Sequence, residues 1–202
     1  MVWSHRAKIA FIGSHGIRKT SAVAAFAGVV SRAGQSWDLV REVVRDNPLG
    51  LNESASAESQ LWVLTTQISR ELELTPKADI LISDRSVVDN YAYFLRSAGR
   101  VDPYDLSGLI AAWARTYTLA VRLRPNVKLV ADGVRSTSDA FRDEIETILD
   151  EILPVYFAPA QLLELPASRV TRTFDWWPIA ERLAERVGEH LANPPSESLT
   201  GR

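Results

Sequence analysis

The stretch of sequence that decides the fold is GSHGIRKT, at residues 13–20. It follows the short apolar run KIAFI at residues 8–12 and precedes residues 19–33, where small apolar residues recur at helical spacing. A strand, a glycine-containing turn and a helix in this order are the setting that the phosphate-binding pattern G-x-x-x-x-G-K-[ST] requires. The sequence therefore predicts a loop whose backbone N–H groups, at a helix N-terminus, bind phosphate oxygens.

Within this loop the pattern assigns separate roles to a lysine and a hydroxyl group. Lys19 is expected to reach the terminal phosphate oxygens, and the Thr20 hydroxyl is expected to ligate Mg²⁺. The remaining predicted nucleotide-binding residues are Gly13, Ser14, His15, Gly16, Ile17, Arg18 and Ser21. Arg18 departs from the pattern, because a glycine at its position lets the backbone approach phosphate without a Cβ. Two interpretations stay open: a crowded loop that binds nucleotide weakly, or a guanidinium that adds charge beside the phosphates.

The composition is that of one soluble globular domain, with 202 residues of which 46% are hydrophobic and 24% charged. The net charge of −2 argues against a general nucleic-acid coat protein, and the absence of cysteine excludes disulfides and thiolate metal sites. No apolar run reaches the roughly 18 residues of a membrane span and no signal-peptide pattern is present, so we expect a cytoplasmic protein without a membrane partner. We predict one nucleotide-binding domain over residues 1–192 and a disordered tail over 193–202.

Apolar runs and helical patterns alternate along the chain. We predict strands at residues 8–12, 37–44, 78–83, 127–131 and 161–165. We predict helices at residues 19–33, 52–76, 87–98, 105–122, 138–153 and 175–190, the last with Asp175 as its N-cap. Short apolar strands separated by helices indicate an α/β fold with a parallel sheet covered on both faces.

Polar residues follow two of the predicted strands, at the edge where open α/β sheets bind ligands. Asp84-Arg85-Ser86 comes after the third strand, and a carboxylate there can hold Mg²⁺ while the arginine meets transferring phosphate charge. Glu42 lies at the end of the second strand with Arg45 beside it, and could act as a base toward a substrate hydroxyl. Alternatively, Ser86 or Asp84 caps the helix that begins at residue 87, and Glu42 belongs to a solvated strand end.

Two further segments supply candidate substrate contacts. Gln67 lies on the long helix after the second strand, where its amide could contact a base edge, although a surface glutamine is the alternative. Residues 132–136, DGVRS, follow the fourth predicted strand, and Arg142 comes one turn into the next helix. This segment is typical of a small lid whose arginines, Arg135 and Arg142, close over phosphates. A glycine turn followed by an arginine-bearing helix face is the alternative.

The ordered set of motifs resembles a known family over about residues 7–190. The set comprises GSHGIRKTS, the RE-x-x-R stretch at residues 41–45, the helix carrying Gln60 and Gln67, DRSVVDNYAY, and DGVRSTSDAFRDEI. It is similar to the AAA-type ATP-binding family related to the kinase domain of the nicotinamide-riboside kinase/regulator protein, and in turn to thymidylate and deoxyribonucleoside kinases. The resemblance implies a three-layer P-loop kinase fold with a five-stranded parallel sheet in the order 2-3-1-4-5.

The same resemblance implies roles for particular residues. Glu42 matches the general base of deoxynucleoside kinases, and Gln67 matches the glutamine that reads the base. Asp84 and Arg85 match the DR[ST] motif, and Arg135 and Arg142 match the lid arginines. We expect the nucleotide to be ATP or GTP, bound together with Mg²⁺.

These residues favour phosphoryl transfer from ATP·Mg, or GTP·Mg, to a nucleoside-like or nucleotide-like acceptor, with Lys19, Glu42, Arg85 and Arg135 as catalytic residues. Two alternatives stay open. One is a nucleotide-binding regulator with weak catalysis, which the substituted loop favours. The other is a kinase that acts on DNA ends or modified bases, which would need a basic track beside the cleft. A homodimer is compatible with each of these functions.

Overall fold

A computed structural model describes residues 7–50, 52–125, 138–165 and 176–192, without the side chains of residues 190–192. Its sheet has five parallel strands: β1 (Ala7–Ile12), β2 (Trp37–Val40), β3 (Ile80–Asp84), β4 (Leu119–Leu123) and β5 (Leu162–Leu165). They lie in the order β2-β3-β1-β4-β5, with every hydrogen-bonded pair parallel. The predicted fold class and strand order are therefore confirmed.

Within the described ranges, six helices connect and cover the strands: α1 (Lys19–Arg32), α2 (Ala57–Leu74), α3 (Val87–Ser97), α4 (Ser107–Ala114), α5 (Asp139–Tyr156) and α6 (Trp177–Ala192). Short 3-10 turns occur at Val43–Asp46, Asn52–Ser54 and Thr75–Lys77. Serine hydroxyls at the N-caps of α2, α3 and α5 accept backbone N–H groups of their first turns. No described helix combines the length and apolar character needed to span a membrane.

Two hydrophobic cores fill the space between the sheet and its helices. On one face, Phe11 and Val121 pack with residues of α1 and α6, including Phe26 and Val187. On the other face, residues of β1 and β4 pack with α2, α3, α4 and α5. Burial on both faces explains why β1 and β3 are buried at every position and mostly apolar, without alternation between apolar and polar residues.

The fourth strand differs from its prediction. The helix predicted at 105–122 ends at Ala114, and Leu119–Leu123 forms β4 in the centre of the sheet. All five residues of β4 are buried, so their sequence shows no period-2 alternation, and leucine, alanine and arginine are strong helix formers. The strand predicted at 127–131 lies outside the described residues, as do the Asp175 cap and the tail at 193–202.

The second strand is shorter than predicted. It ends at Val40, and residues 43–46 form a 3-10 turn instead of continuing the strand to residue 44. Glu42 precedes this turn with φ −55° and ψ 106°. The chain therefore leaves the sheet before Glu42, which places its carboxylate beside the residues that follow β3.

A substitution at Gly13, directly after β1, tests how tightly the backbone is packed between Ile17 and Leu123. Its φ is +139°, and an added Cβ would lie 2.5 Å from Ile17 Cδ1 and 2.6 Å from the Leu123 carbonyl oxygen. We expect Gly13→Ala to lower the free energy of unfolding by roughly 2–4 kcal/mol, because a backbone carbonyl cannot move away easily. Urea unfolding measures this change.

The matched control is Gly108→Ala, since nothing lies within 4 Å of the added Cβ and the residue is helical. Gly108→Ala is expected to leave stability unchanged or to raise it by up to about 1 kcal/mol. Equal stability of the two variants would contradict the described contacts of Gly13.

Candidate functional site

The loop between β1 and α1 turns through three residues with positive φ. These are Gly13, Gly16 and Arg18, with φ of 139°, 74° and 65°. Arg18 has ψ 31°, so it adopts the left-handed conformation that glycine favours, and α1 begins at the next residue. The loop therefore follows the backbone path expected of the glycine pattern despite the substitution. The Arg18 side chain is exposed.

Lys19 lies inside the curve of this loop. Its Nζ donates to the carbonyl oxygens of Gly13, at 2.9 Å, and Ser14, at 2.5 Å. The side chain is buried, and burial together with the nearby charge of Arg85 lowers the pKa of Lys19 to about 8. An added anion near Nζ would therefore favour the protonated form strongly.

Thr20 and Asp84 meet where α1 begins and β3 ends. The Thr20 hydroxyl donates to Asp84 Oδ2 over 2.7 Å. Among the described residues, Asp84 Oδ1 is buried and has no hydrogen-bond partner. A hydroxyl and a carboxylate oxygen side by side are ligands that Mg²⁺ accepts, the rest of its shell coming from phosphate and water. No set of three or more acidic or histidine side chains that could hold a metal occurs within the described ranges.

Arg85 joins the ends of β2 and β3 through buried ion pairs. Its Nε donates to Glu42 Oε1 at 2.9 Å, and its NH1 lies 3.6 Å from Asp89 Oδ2. Its guanidinium carbon lies 4.7 Å from the centre of the Tyr93 ring. Burial disfavours the charged guanidinium, but the negative neighbours outweigh that effect and raise the pKa of Arg85. Arg45 Nε lies 3.5 Å from the second oxygen of Glu42.

Asp89 belongs to this cluster and was not singled out from the sequence. Its Oδ1 accepts the Ser86 backbone N–H at 2.5 Å, which forms a capping box with the Ser86 hydroxyl at the start of α3. Its Oδ2 accepts the Gly13 N–H at 3.4 Å. Ser86 was one of the two caps considered from the sequence; the spacing Ser86-x-x-Asp89 could also have indicated the part that Asp89 plays in the capping box, although not its contact with the loop.

A second connection links the loop to α5. His15 stacks on Phe141 with ring centres 5.1 Å apart, and its Nδ1 lies 3.3 Å from the Tyr93 hydroxyl. The Ser14 backbone N–H donates to Glu146 Oε1 at 2.9 Å. Glu146 in turn accepts from Arg122, a buried residue of β4, at 2.6 Å. Neither Glu146 nor Arg122 belongs to a sequence motif that would indicate a contact with the loop.

The remaining predicted contacts lie in three different settings. Gln67 is fully buried, and its Nε2 lies within 3.3 Å of acceptors on Glu71, Ser83 and Arg85. Arg142 lies in the first turn of α5 and pairs with Asp139 at 2.7 Å. Arg135 lies outside the described residues. Base recognition by Gln67 and a lid role for the two arginines stay predictions.

A five-stranded parallel sheet in the order β2-β3-β1-β4-β5, with a phosphate-type loop after β1, defines the P-loop kinase class of fold. Residues 8–172 match the family AAA_28, described as an AAA domain, and the chain belongs to that family. The resemblance predicted from the sequence motifs is thereby confirmed. No curated protein sequence matches the chain.

Several solved structures share the fold at low sequence identity. A NadR protein in complex with NAD and AMP-PNP is 14% identical with a TM-score of 0.63, over 91% of this chain and 50% of that one. A deoxyadenosine kinase from M. mycoides with bound dATP is 18% identical with a TM-score of 0.60, over 89% of this chain and 100% of that one. A thymidylate kinase from Ehrlichia chaffeensis is 16% identical with a TM-score of 0.62, over 91% of this chain and 98% of that one. This chain therefore spans about half the length of the NadR protein and nearly all of the other two.

Because its pKa is lowered, Lys19 should make the free energy of unfolding depend on pH. Between pH 8 and the ordinary lysine value of 10.5, the unfolded chain binds the lysine proton and the folded chain releases it. The free energy of unfolding should therefore rise with pH across this window, relative to Lys19→Met, which lacks the group. Urea unfolding of both proteins from pH 7.5 to 10.5 measures the difference.

The control is Lys77→Met, which removes an exposed lysine paired with Glu73 at 3.4 Å. Its stability difference from the wild type should stay nearly constant over the same pH range. If the stability difference between the wild type and Lys19→Met is equally independent of pH, the pKa of Lys19 is not lowered and the described burial of this side chain is wrong.

Proposed function

We propose that this protein is an ATP-dependent phosphotransferase that moves the terminal phosphoryl group of ATP, or GTP, to a nucleoside-like or nucleotide-like acceptor. One observation carries the proposal: the Thr20–Asp84 pair, buried Lys19 and the Arg85–Glu42 ion pair lie together at the carboxyl edge of the sheet. Phosphoryl transfer requires mainly positioning and charge stabilisation, and these five side chains supply both.

The phosphate loop is the proposed binding site for the nucleotide. Backbone N–H groups at the start of α1 carry the positive end of the helix dipole toward the phosphates. Lys19 is proposed to exchange its contacts with the Gly13 and Ser14 carbonyls for phosphate oxygens. Thr20 and Asp84 would hold Mg²⁺, which neutralises phosphate charge when bound.

Transfer itself involves one bond formed and one broken. An acceptor oxygen attacks the terminal phosphorus, an O–P bond forms, and the bond from that phosphorus to the bridging oxygen breaks to release the nucleoside diphosphate. Where the acceptor is a hydroxyl, Glu42 is proposed to take its proton, oriented by its ion pair with Arg85. Arg85 would stabilise the charge that develops on the transferring group, assisted by Arg135.

Incubation with ATP·Mg and a panel of nucleosides and nucleotides tests the proposal by acceptor-dependent ADP formation. We expect Glu42→Gln to lower kcat for a hydroxyl acceptor by about 10²- to 10⁴-fold, because the amide cannot accept the proton. Asp46→Asn, which changes an exposed carboxylate on the adjacent 3-10 turn, is expected to keep wild-type kcat. The proposal fails if ATP binds and no acceptor in the panel increases ADP formation.

A nucleotide-binding regulator is the second candidate function, and the arginine at position 18 is the observation that favours it. A regulator needs nucleotide-dependent changes in partner binding or oligomeric state that survive Glu42→Gln. Sedimentation with and without ATP would distinguish it from a phosphotransferase.

Arg18→Gly separates the two interpretations of the loop. Since Arg18 already has the backbone conformation of glycine and an exposed side chain, we expect its guanidinium to assist phosphate binding rather than block it. Arg18→Gly should therefore weaken ATP affinity about three- to tenfold, and the loss should shrink at high salt. Titration calorimetry measures both effects, with Lys19→Ala as the variant that loses most affinity. A gain in affinity for Arg18→Gly would instead identify an impaired loop and favour the regulator.

A further inference from the structure

A buried carboxylate outside the proposed site accepts hydrogen bonds from five other residues. Glu71, in the last turns of α2, is fully buried. Its Oε2 accepts from Lys8 Nζ at 2.9 Å and Trp113 Nε1 at 2.7 Å. Its Oε1 accepts from Tyr117 at 2.6 Å, Gln67 at 2.9 Å and Ser83 at 3.4 Å. We call these six residues the Glu71 network.

The Glu71 network contacts the backbone on both sides of Ser86. Gln67 Nε2 lies 3.3 Å from the carbonyl oxygen of Arg85. The Tyr117 hydroxyl, which donates to Glu71, accepts the Val87 backbone N–H at 2.9 Å. Glu71 thus reaches the segment that carries Arg85 by two separate routes.

The backbone of Arg85 is the strained part of that segment. Its φ is 104°, a value that residues with a side chain rarely adopt. Such a conformation costs about 1–3 kcal/mol and persists only where several contacts hold it. On one side its N–H donates to the Phe11 carbonyl at 3.1 Å, and on the other Gln67 holds its carbonyl. The guanidinium that donates to Glu42 extends from this backbone, so a shift of the backbone would displace it.

The charge of Glu71 is balanced inside the protein. Lys8, its buried ion partner, lies 4.8 Å from the Trp113 ring centre and 4.6 Å from that of Tyr117. Buried ion pairs contribute little net stability compared with apolar residues of the same volume. Geometry is therefore the main contribution of the Glu71 carboxylate, since no apolar side chain could hold Gln67 and Tyr117 in place.

We propose that Glu71 is a positioning residue for Arg85, acting through Gln67 and Tyr117. In this role Gln67 acts on the backbone of the catalytic segment from within the core. The inference rests on the proposed function, because it assigns to Arg85 the stabilisation of the transferring phosphoryl group.

Glu71→Gln tests the proposal by steady-state kinetics. The amide keeps the volume of the carboxylate but has one acceptor oxygen instead of two, so the network must rearrange. We expect kcat to fall roughly 10- to 100-fold, because Arg85 is misplaced, while KM for ATP changes less than about threefold. The matched control is Glu73→Gln on the same helix, an exposed residue paired with Arg70 and Lys77, which should keep wild-type kcat.

Amide hydrogen exchange supplies a second measurement that needs no activity. Glu71→Gln and the milder Tyr117→Phe should each speed exchange at Arg85 and Val87 at least about tenfold, while the core amide of Ile82 keeps its protection. Tyr117→Phe removes only a hydroxyl, so it tests the route to Val87 even if Glu71→Gln fails to fold.

The outcomes separate this inference from the proposed function. Lower stability with unchanged kcat and unchanged exchange at Arg85 and Val87 identifies a merely structural role for Glu71 and overturns the inference. A wild-type protein that binds ATP without transferring phosphate overturns the proposed function, and the exchange measurement then decides the positioning role alone.

Discussion

The candidate site depends on the hydrogen-bonded register between β1 and β3, in which Phe11 lies opposite Asp84. Parallel pairing brings the carboxyl ends of both strands to one edge, so the loop after β1 and the Asp84-Arg85-Ser86 segment emerge side by side. A hydrogen bond from the Arg85 N–H to the Phe11 carbonyl extends this pairing one residue beyond β3. A shift of one residue would turn Asp84 to the opposite face and separate it from Thr20.

Around this register, two cationic side chains lie among three carboxylates. Lys19 and Arg85 lie near Glu42, Asp84 and Asp89, and all five residues are buried. Low dielectric strengthens each contact and makes any unpaired charge costly. The lowered pKa of Lys19, and the Asp84 oxygen that has no hydrogen-bond partner within the part of the chain that the structure describes, mark two groups whose burial is incompletely compensated. Both groups are the ones that phosphate and Mg²⁺ would satisfy.

Much of the architecture was predictable because it depends on short-range patterns. The loop motif, the buried strands β1 and β3, and the helices around them follow from local periodicity and spacing. Local patterns misassigned β4, since a strand buried on both faces has the same apolar composition as a buried helix. The strand order 2-3-1-4-5 was nevertheless correct, because it came from the ordered motifs and not from the position of β4.

The sequence by itself determined the phosphate-type loop, the parallel α/β class and the family, because each depends on residue types at fixed spacing along the chain. Only the tertiary structure decided which side chains meet. Asp89 accepts a hydrogen bond from Gly13, and Glu71 accepts hydrogen bonds from Lys8 and Tyr117. These partners lie so far apart along the chain that no sequence motif relates them. The conformation of Arg18 likewise came only from the tertiary structure, in which this residue adopts the left-handed backbone that glycine favours.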